Sequence, residues 1–242
     1  TIYNSIYYFH ILKAGGTSIN FAFIRFFFNK KYKEAYAKIS SSVLNRIVSP
    51  KKKVVIGWNR FSINHFNFSY AWSHQPYKNL NLKSSTLKFV IFRDPSERII
   101  SYYKEFLQNK KHPAFKKFKN KNIKGIIEFI NLLPKSLICN QLYIFSKKFN
   151  LDEAKKNLNN LNLILFQKDL KKNKYSDFKK FLNISKLKFK HERKSKISLN
   201  LNKKEKEQIR KKVKLDKKFY DYALSLSRKH KDILRTKIKI IF

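Results

Sequence analysis

The sequence predicts an α/β protein with a mostly parallel central sheet, and three observations carry that expectation. Short runs of aromatic and β-branched residues recur at 2–9, 54–57, 87–92 and 161–166. Helical sequence separates them, so strands and helices alternate. Two of the strand ends run straight into helix starts that carry anion-binding residue types. The chain has 242 residues with 23 Phe and 13 Tyr, enough apolar surface for one sizeable core, so it reads as a single domain over 1–242.

Taken in order, residues 2–9 read as a buried strand, because they form a nearly unbroken aromatic and aliphatic run. Gly15 and Gly16 then supply a turn, and an amphipathic helix is expected over 17–29. The Lys- and Ser-rich stretch 40–53 reads as a helix end and loop, and 54–57 as a short strand. Residues 58–77 are dense in aromatics, Asn and His without a period. The run 87–92 is the clearest buried strand, and Asp94-Pro95-Ser96-Glu97 after it is a helix start. Asp94 can cap, Pro95 suits the first helical position, and Glu97 can close a capping box. That helix is expected to reach Gln108, and 109–124 is a Lys-rich linker. Helices are predicted at 125–133 and 135–148, divided by Pro134, followed by a strand at 161–166 and helices at 169–182 and 203–231.

Charge narrows the possible partners less than its size suggests. The formal net charge is +41, but Lys supplies 47 of the 56 basic residues and Arg only 9. Arg is the better fork for phosphates and base edges. Lys, Asn, Ile and Phe are all abundant, as an AT-rich genome favours, so nucleic acid is not the expected partner. Residues 1–108 carry 17 basic and 4 acidic groups, and 109–242 carry 39 and 11, so the excess lies mainly away from the sharpest motifs. The single cysteine, Cys139, excludes an internal disulfide framework and reads as a buried small hydrophobe. No apolar run approaches the ~18 residues of a membrane-spanning helix. No His, Cys and carboxylate spacing suggests a metal site, so no metal is expected.

The chemistry concentrates at the two junctions. In the first, Lys13, the amides of Ala14, Gly15, Gly16, Thr17 and Ser18, and the hydroxyls of Thr17 and Ser18 would form an anion cradle at a helix N-terminus. The spacing is not that of a Walker A loop. In the second, Arg93 ends a strand at the edge where open α/β sheets bind ligands, and Ser101 lies two turns into the next helix. Arg98 reads as a structural ion-pair partner of Asp94 or Glu97.

Together these segments resemble a known family. His10-Ile11-Leu12-Lys13-Ala14-Gly15-Gly16-Thr17-Ser18 resembles the H-I-P-K-T-G-G-T-S loop of sulfotransferases that use 3′-phosphoadenosine 5′-phosphosulfate (PAPS). Arg93-Asp94-Pro95, with Arg98, Ser101 and Tyr103, is similar to their R-D-P-x-x-R-x-x-S-x-Y segment. Ser73-His74-Gln75-Pro76-Tyr77 resembles the G-H-x-P-Y element of the carbohydrate branch, which includes the heparan sulfate 2-O-sulfotransferases. Residues 139–142, 154–170 and 216–223 are more loosely similar to that branch. Leu12 and Ala14 replace the usual Pro and Thr, and Ser73 stands where the family usually has Gly.

The resemblance implies a P-loop-like fold and sulfuryl transfer from PAPS, without a metal, to a hydroxyl-bearing acceptor, an oligo- or polysaccharide and an anionic one if the basic surface takes part. Lys13 to Ser18 would bind the 5′-phosphosulfate, Arg93 and Ser101 the 3′-phosphate, and His74 would be the general base, with His65 as a rival. Lys13 would act on the oxygen between phosphorus and sulfur. Two other classes remain open at this point: an ATP-dependent phosphotransferase, and a non-enzymatic polycation that binds nucleic acid or an acidic glycan. The lone cysteine and the codon bias lean toward a bacterial cytosolic protein. A Golgi lumenal location is the alternative if an amino-terminal anchor is missing from this sequence.

Overall fold

The computed structural model describes residues 2–241 apart from 110–112, 119–120, 122, 171–174, 185, 190–194, 196 and 230–237. The strands are β1 (Ile2–Tyr3), β2 (Ser5–Phe9), β3 (Arg46–Val48), β4 (Val54–Gly57), β5 (Tyr70–Ser73), β6 (Thr86–Phe92), β7 (Leu163–Phe166) and β8 (Lys239–Ile240). The helices are α1 (Gly16–Phe28), α2 (Tyr32–Ser41), α3 (Arg60–His65), α4 (Pro95–Gln108), α5 (Ile126–Asn131), α6 (Lys135–Ile138), α7 (Asn140–Phe145), α8 (Leu151–Asn159), α9 (Gln167–Leu170), α10 (Tyr175–Leu182), α11 (Lys203–Lys212) and α12 (Lys214–Lys229).

Six strands form one sheet in the order β3-β4-β5-β2-β6-β7. Every pairing in it is parallel except β3 with β4. All five residues of β2 are buried, as a central strand covered on both faces must be. Its side chains alternate between two cores. Ile6 and Tyr8 pack with α1, α2 and α10, whereas Tyr7 and Phe9 pack with α7, α8 and α12. A third apolar cluster, around Tyr102, Phe106 and Phe129, joins α4 to α5 and α11. The expected α/β fold with a mostly parallel sheet is what the chain adopts.

Several boundaries differ from the expectation. The first strand is two: Ile2 and Tyr3 pair with β8, while Ser5–Phe9 enters the main sheet. The 40–53 stretch contains the antiparallel edge strand β3. The unpatterned 58–77 segment holds both α3 and β5. The helix expected at 135–148 breaks at Cys139, and the one at 203–231 breaks at Val213. Helix α4 begins as expected, with Asp94 Oδ1 accepting from the Ser96 and Glu97 amides. Glu97 does not close a capping box there; its carboxylate turns to Arg93 instead.

Candidate functional site

Strands β5, β2 and β6 lie side by side and run the same way, with Phe9 level with both Ser73 and Val90. Their C-terminal ends therefore open on one edge of the sheet. The end of β5 delivers His74, the end of β2 delivers the loop from His10 to Gly15, and the end of β6 delivers Arg93. Strand β2 is also where the chain order changes direction, the crevice in which open α/β sheets place their ligands.

The loop from β2 to α1 is shaped by two backbone demands. Gly15 caps α1 at φ 93, a left-handed conformation that costs glycine nothing, and Lys13 shares that region at φ 65. Gly16 is needed for a different reason: a Cβ there would lie 2.0 Å from His10 Nε2. Helix α1 has no side-chain cap and no acid in its first turn, so its leading amides face the loop without a built-in acceptor. Ala14 and Gly16 are buried, Gly15 is exposed, and Thr17 and Ser18 are half-buried.

Arg93 is brought directly onto this loop. Its guanidinium Nη1 donates to the Lys13 carbonyl at 3.1 Å, and its Nε lies 3.5 Å from Glu97. Burial pulls the Arg93 pKa down from its usual range, and Glu97 partly offsets that. Lys13 itself pairs with Glu105 at 3.2 Å. Glu97, Ser101 and Glu105 follow one another at four-residue spacing, so they form a single ridge of α4. Ser101, half-buried, thus sits between the partner of Arg93 and the partner of Lys13.

His74 is fixed by the opposite side of the same loop. Its Nδ1 lies 2.5 Å from the His10 carbonyl oxygen, which can only accept, so Nδ1 carries the proton and the neutral ring keeps its lone pair at Nε2. His74 is exposed as a residue, but its ring is crowded by His10 and Trp58, with ring centroids 4.6 and 5.0 Å away. Burial lowers its pKa, against the raising effect of the hydrogen bond. Trp58 holds φ 67, a rare conformation for so large a residue, with its N–H on the Trp72 carbonyl. His10 is buried, and burial, His74 and Lys13 together push its pKa well down.

Ser73 shows how the departure from glycine is accommodated. Its fully buried hydroxyl meets Tyr7 Oη at 2.5 Å and accepts from the Gln75 amide at 3.1 Å, which anchors the turn that follows His74. His65 belongs elsewhere: it ends α3, its ring stacks on Phe61, and its Nδ1 bonds the Phe61 carbonyl. Arg98 is buried, but its partner is not Asp94 or Glu97. It pairs with Asp216 of α12 at 3.7 Å and donates to the carbonyls of Leu137 and Ile138. Asp94 is committed to its cap and Glu97 to Arg93. Cys139 is buried, and its thiol is pushed up to about 11, mainly by burial, so little of it is thiolate. Arg193 and Lys194, in a basic stretch of the sequence, lie outside the described residues.

Two residues of the loosely similar 139–142 segment take positioning roles that could not be read from the sequence. Asn140 Oδ1 accepts from the Leu12 amide, just before Lys13, and Gln141 Oε1 accepts from the Arg93 amide, each at 3.0 Å. Adjacent residues at the start of α7 thereby hold both the loop that leads to Lys13 and the end of β6 at Arg93. Gln141 in turn donates to Asp216 at 3.3 Å, and Asp216 also takes the Leu142 amide at 2.8 Å. Among the described residues no group of three or more His, Cys, Asp and Glu is arranged to hold a metal ion, and no helix is long and apolar enough to cross a membrane.

A mostly parallel sheet with a glycine loop, an uncapped helix start and two cations at its C-terminal edge is a P-loop-like α/β arrangement. Within that class, residues 3–223 match the model of the Sulfotransferase family, and the chain belongs to that family. It is therefore a transferase of sulfuryl groups to hydroxyl-bearing acceptors. A search of curated proteins finds no match.

Proposed function

We propose that the chain transfers the sulfuryl group of PAPS to a carbohydrate hydroxyl, with His74 as the general base. The observation that supports this reading is the adjacency of three strand ends, which carry a neutral imidazole, a glycine loop with Lys13, and Arg93. The fit to the donor rests on the same residues. The uncapped start of α1 suits a phosphosulfate, and Arg93, with Ser101 one turn beyond its partner Glu97 on α4, offers a second anion contact for a 3′-phosphate. When bound, PAPS supplies an activated sulfuryl group on a leaving phosphate.

His74 Nε2 accepts the proton of the acceptor hydroxyl as its oxygen bonds to sulfur. Lys13 and the amides of Gly15 to Ser18 stabilise the charge that collects on the leaving oxygen as its bond to sulfur breaks. Arg93 orients the other end of the nucleotide and, through the Lys13 carbonyl, the loop itself. A carbohydrate acceptor is supported by the resemblance of residues 73–77 to the carbohydrate branch and by a basic surface that would steer an anionic chain.

Calorimetric titration with adenosine 3′,5′-bisphosphate, 5′-AMP and ATP, without metal and at moderate salt, tests the donor. Preference for the bisphosphate that disappears in Arg93→Ala is the expected result. Equal, salt-sensitive binding of all three would return the polycation reading, and Mg²⁺-dependent preference for ATP would return the phosphotransferase. Transfer of labelled sulfate from PAPS to a panel of glycans, proteins and small alcohols then tests the acceptor.

A further inference from the structure

The two cations of the site are both met by carboxylates from one ridge of α4. Lys13 Nζ lies 3.2 Å from Glu105, with the two side chains only 21% and 22% exposed, and Arg93 lies 3.5 Å from Glu97. Acids are scarce here. Residues 1–108 contain four of them, Glu34, Asp94, Glu97 and Glu105, against 17 basic groups. With basic partners in such excess, two of those four acids fall on the two cations proposed to bind the donor.

We propose that Glu105 is an internal stand-in for the anionic donor. It holds Lys13 on α4 when no donor is bound and yields it when the phosphosulfate arrives, so it sets the affinity for donor and for the bisphosphate product. The inference rests on the donor reading above. The physics is competition: a carboxylate and a phosphate cannot both occupy the ammonium's best direction, so binding must break an ion pair before it forms another. Being only about one-fifth exposed, this pair is less screened than a surface pair. The same exchange in reverse helps the product leave, because Glu105 recaptures Lys13 as the bisphosphate departs. Glu105 is thus a positioning residue acting through Lys13.

The test is a double-mutant cycle read by calorimetry with adenosine 3′,5′-bisphosphate. The proteins are wild type, Glu105→Gln, Lys13→Ala and the double variant, each checked for folding by circular dichroism. Glu105→Gln should bind the bisphosphate roughly three- to tenfold more tightly than wild type, about 0.7–1.4 kcal/mol, and should have no effect in the Lys13→Ala background. Equal tightening in both backgrounds would mean only a general field of negative charge and would overturn the proposal. Unchanged or weaker binding in Glu105→Gln, while wild type still prefers the bisphosphate, would overturn it and leave the donor site standing. A wild type that shows no preference for the bisphosphate over 5′-AMP overturns both. Should Glu105→Gln fail to fold, Glu105→Asp keeps the charge one methylene further back. It should tighten binding by a smaller factor, and no tightening in that variant also refutes the proposal.

Discussion

The Nδ1–H of His74 is held by the main-chain carbonyl of His10, 2.5 Å away at the first residue of the loop that follows β2. The lone pair of the proposed base is therefore oriented by the same residue whose backbone leads into Lys13. No carboxylate is needed for that orientation, and the tautomer follows from a carbonyl's inability to donate.

His74→Ala should lower turnover on the order of 100-fold or more, with the bisphosphate affinity nearly unchanged. Because burial lowers the pKa below the ordinary 6.5, the ring stays neutral through the physiological range. The kcat/KM of wild type should be flat down to pH 6.5 and fall only below it, as His74 gains a proton. An acid limb centred above 6.5 would contradict the environment described.

Arg93 performs two tasks, so Arg93→Lys should not rescue Arg93→Ala. A lysine keeps the charge but cannot reproduce a fork that reaches the Lys13 carbonyl and Glu97 together. Both variants should lose the preference for the 3′-phosphorylated nucleotide in the calorimetric comparison. Lys13→Ala should retain that preference in part while losing on the order of 100-fold in turnover.

The two loop glycines should differ in their response to alanine. At Gly15 the added methyl meets Gln167 at an ordinary 3.4 Å but must adopt φ 93, a strain of about 1–2 kcal/mol. At Gly16 it would drive into the His10 ring, which packs against His74. Overpacking there costs about 1–3 kcal/mol and displaces the base. Thermal melts and turnover together should rank Gly16→Ala as the more damaging of the two.

Acid should weaken the fold through His10. Its folded pKa lies well below its unfolded value of 6.5, so between those values the unfolded chain binds a proton that the folded one refuses. The stability is fully present above 6.5 and is lost as the pH falls toward the folded pKa. His10→Gln, which cannot titrate, should show a shallower decline of Tm between pH 7 and 5 than wild type.

Removing either partner of the buried Arg98–Asp216 pair should destabilise by about 3–5 kcal/mol, because an uncompensated charge is left in the core. Urea unfolding of Arg98→Ala and Asp216→Ala would measure it. A loss under about 1 kcal/mol would mean water reaches the pair.

What the sequence discloses depends on how local each feature is. The Gly15-Gly16 turn and the Asp94-Pro95 helix start are written in adjacent residues and could be read directly, which also located Lys13 and Arg93. Strand β5 could not be read, since Tyr70–Ser73 is only four residues within aromatic surroundings that extend on both sides. Its function as the carrier of His74 was visible only through family resemblance. The breaks at Cys139 and Val213 carry no Gly or Pro, so two helical periods simply ran together. Asn140, Gln141 and Glu105 gain their meaning from contacts across 48 to 128 residues for the first two, and from the ridge of α4 for the third. Nothing in the sequence pointed to a role for Glu105 beyond its being one of four acids in residues 1–108.

The chain of bonds from Asp216 through Gln141 to the Arg93 amide has a temporal consequence. The segments proposed to bind the donor leave the ribosome before α12, which carries the carboxylate that bonds Gln141. A growing chain holds every residue of the site long before it can hold them still. Nascent chains stalled before residue 214 should therefore ignore the nucleotide, and competence should appear abruptly once α12 has docked.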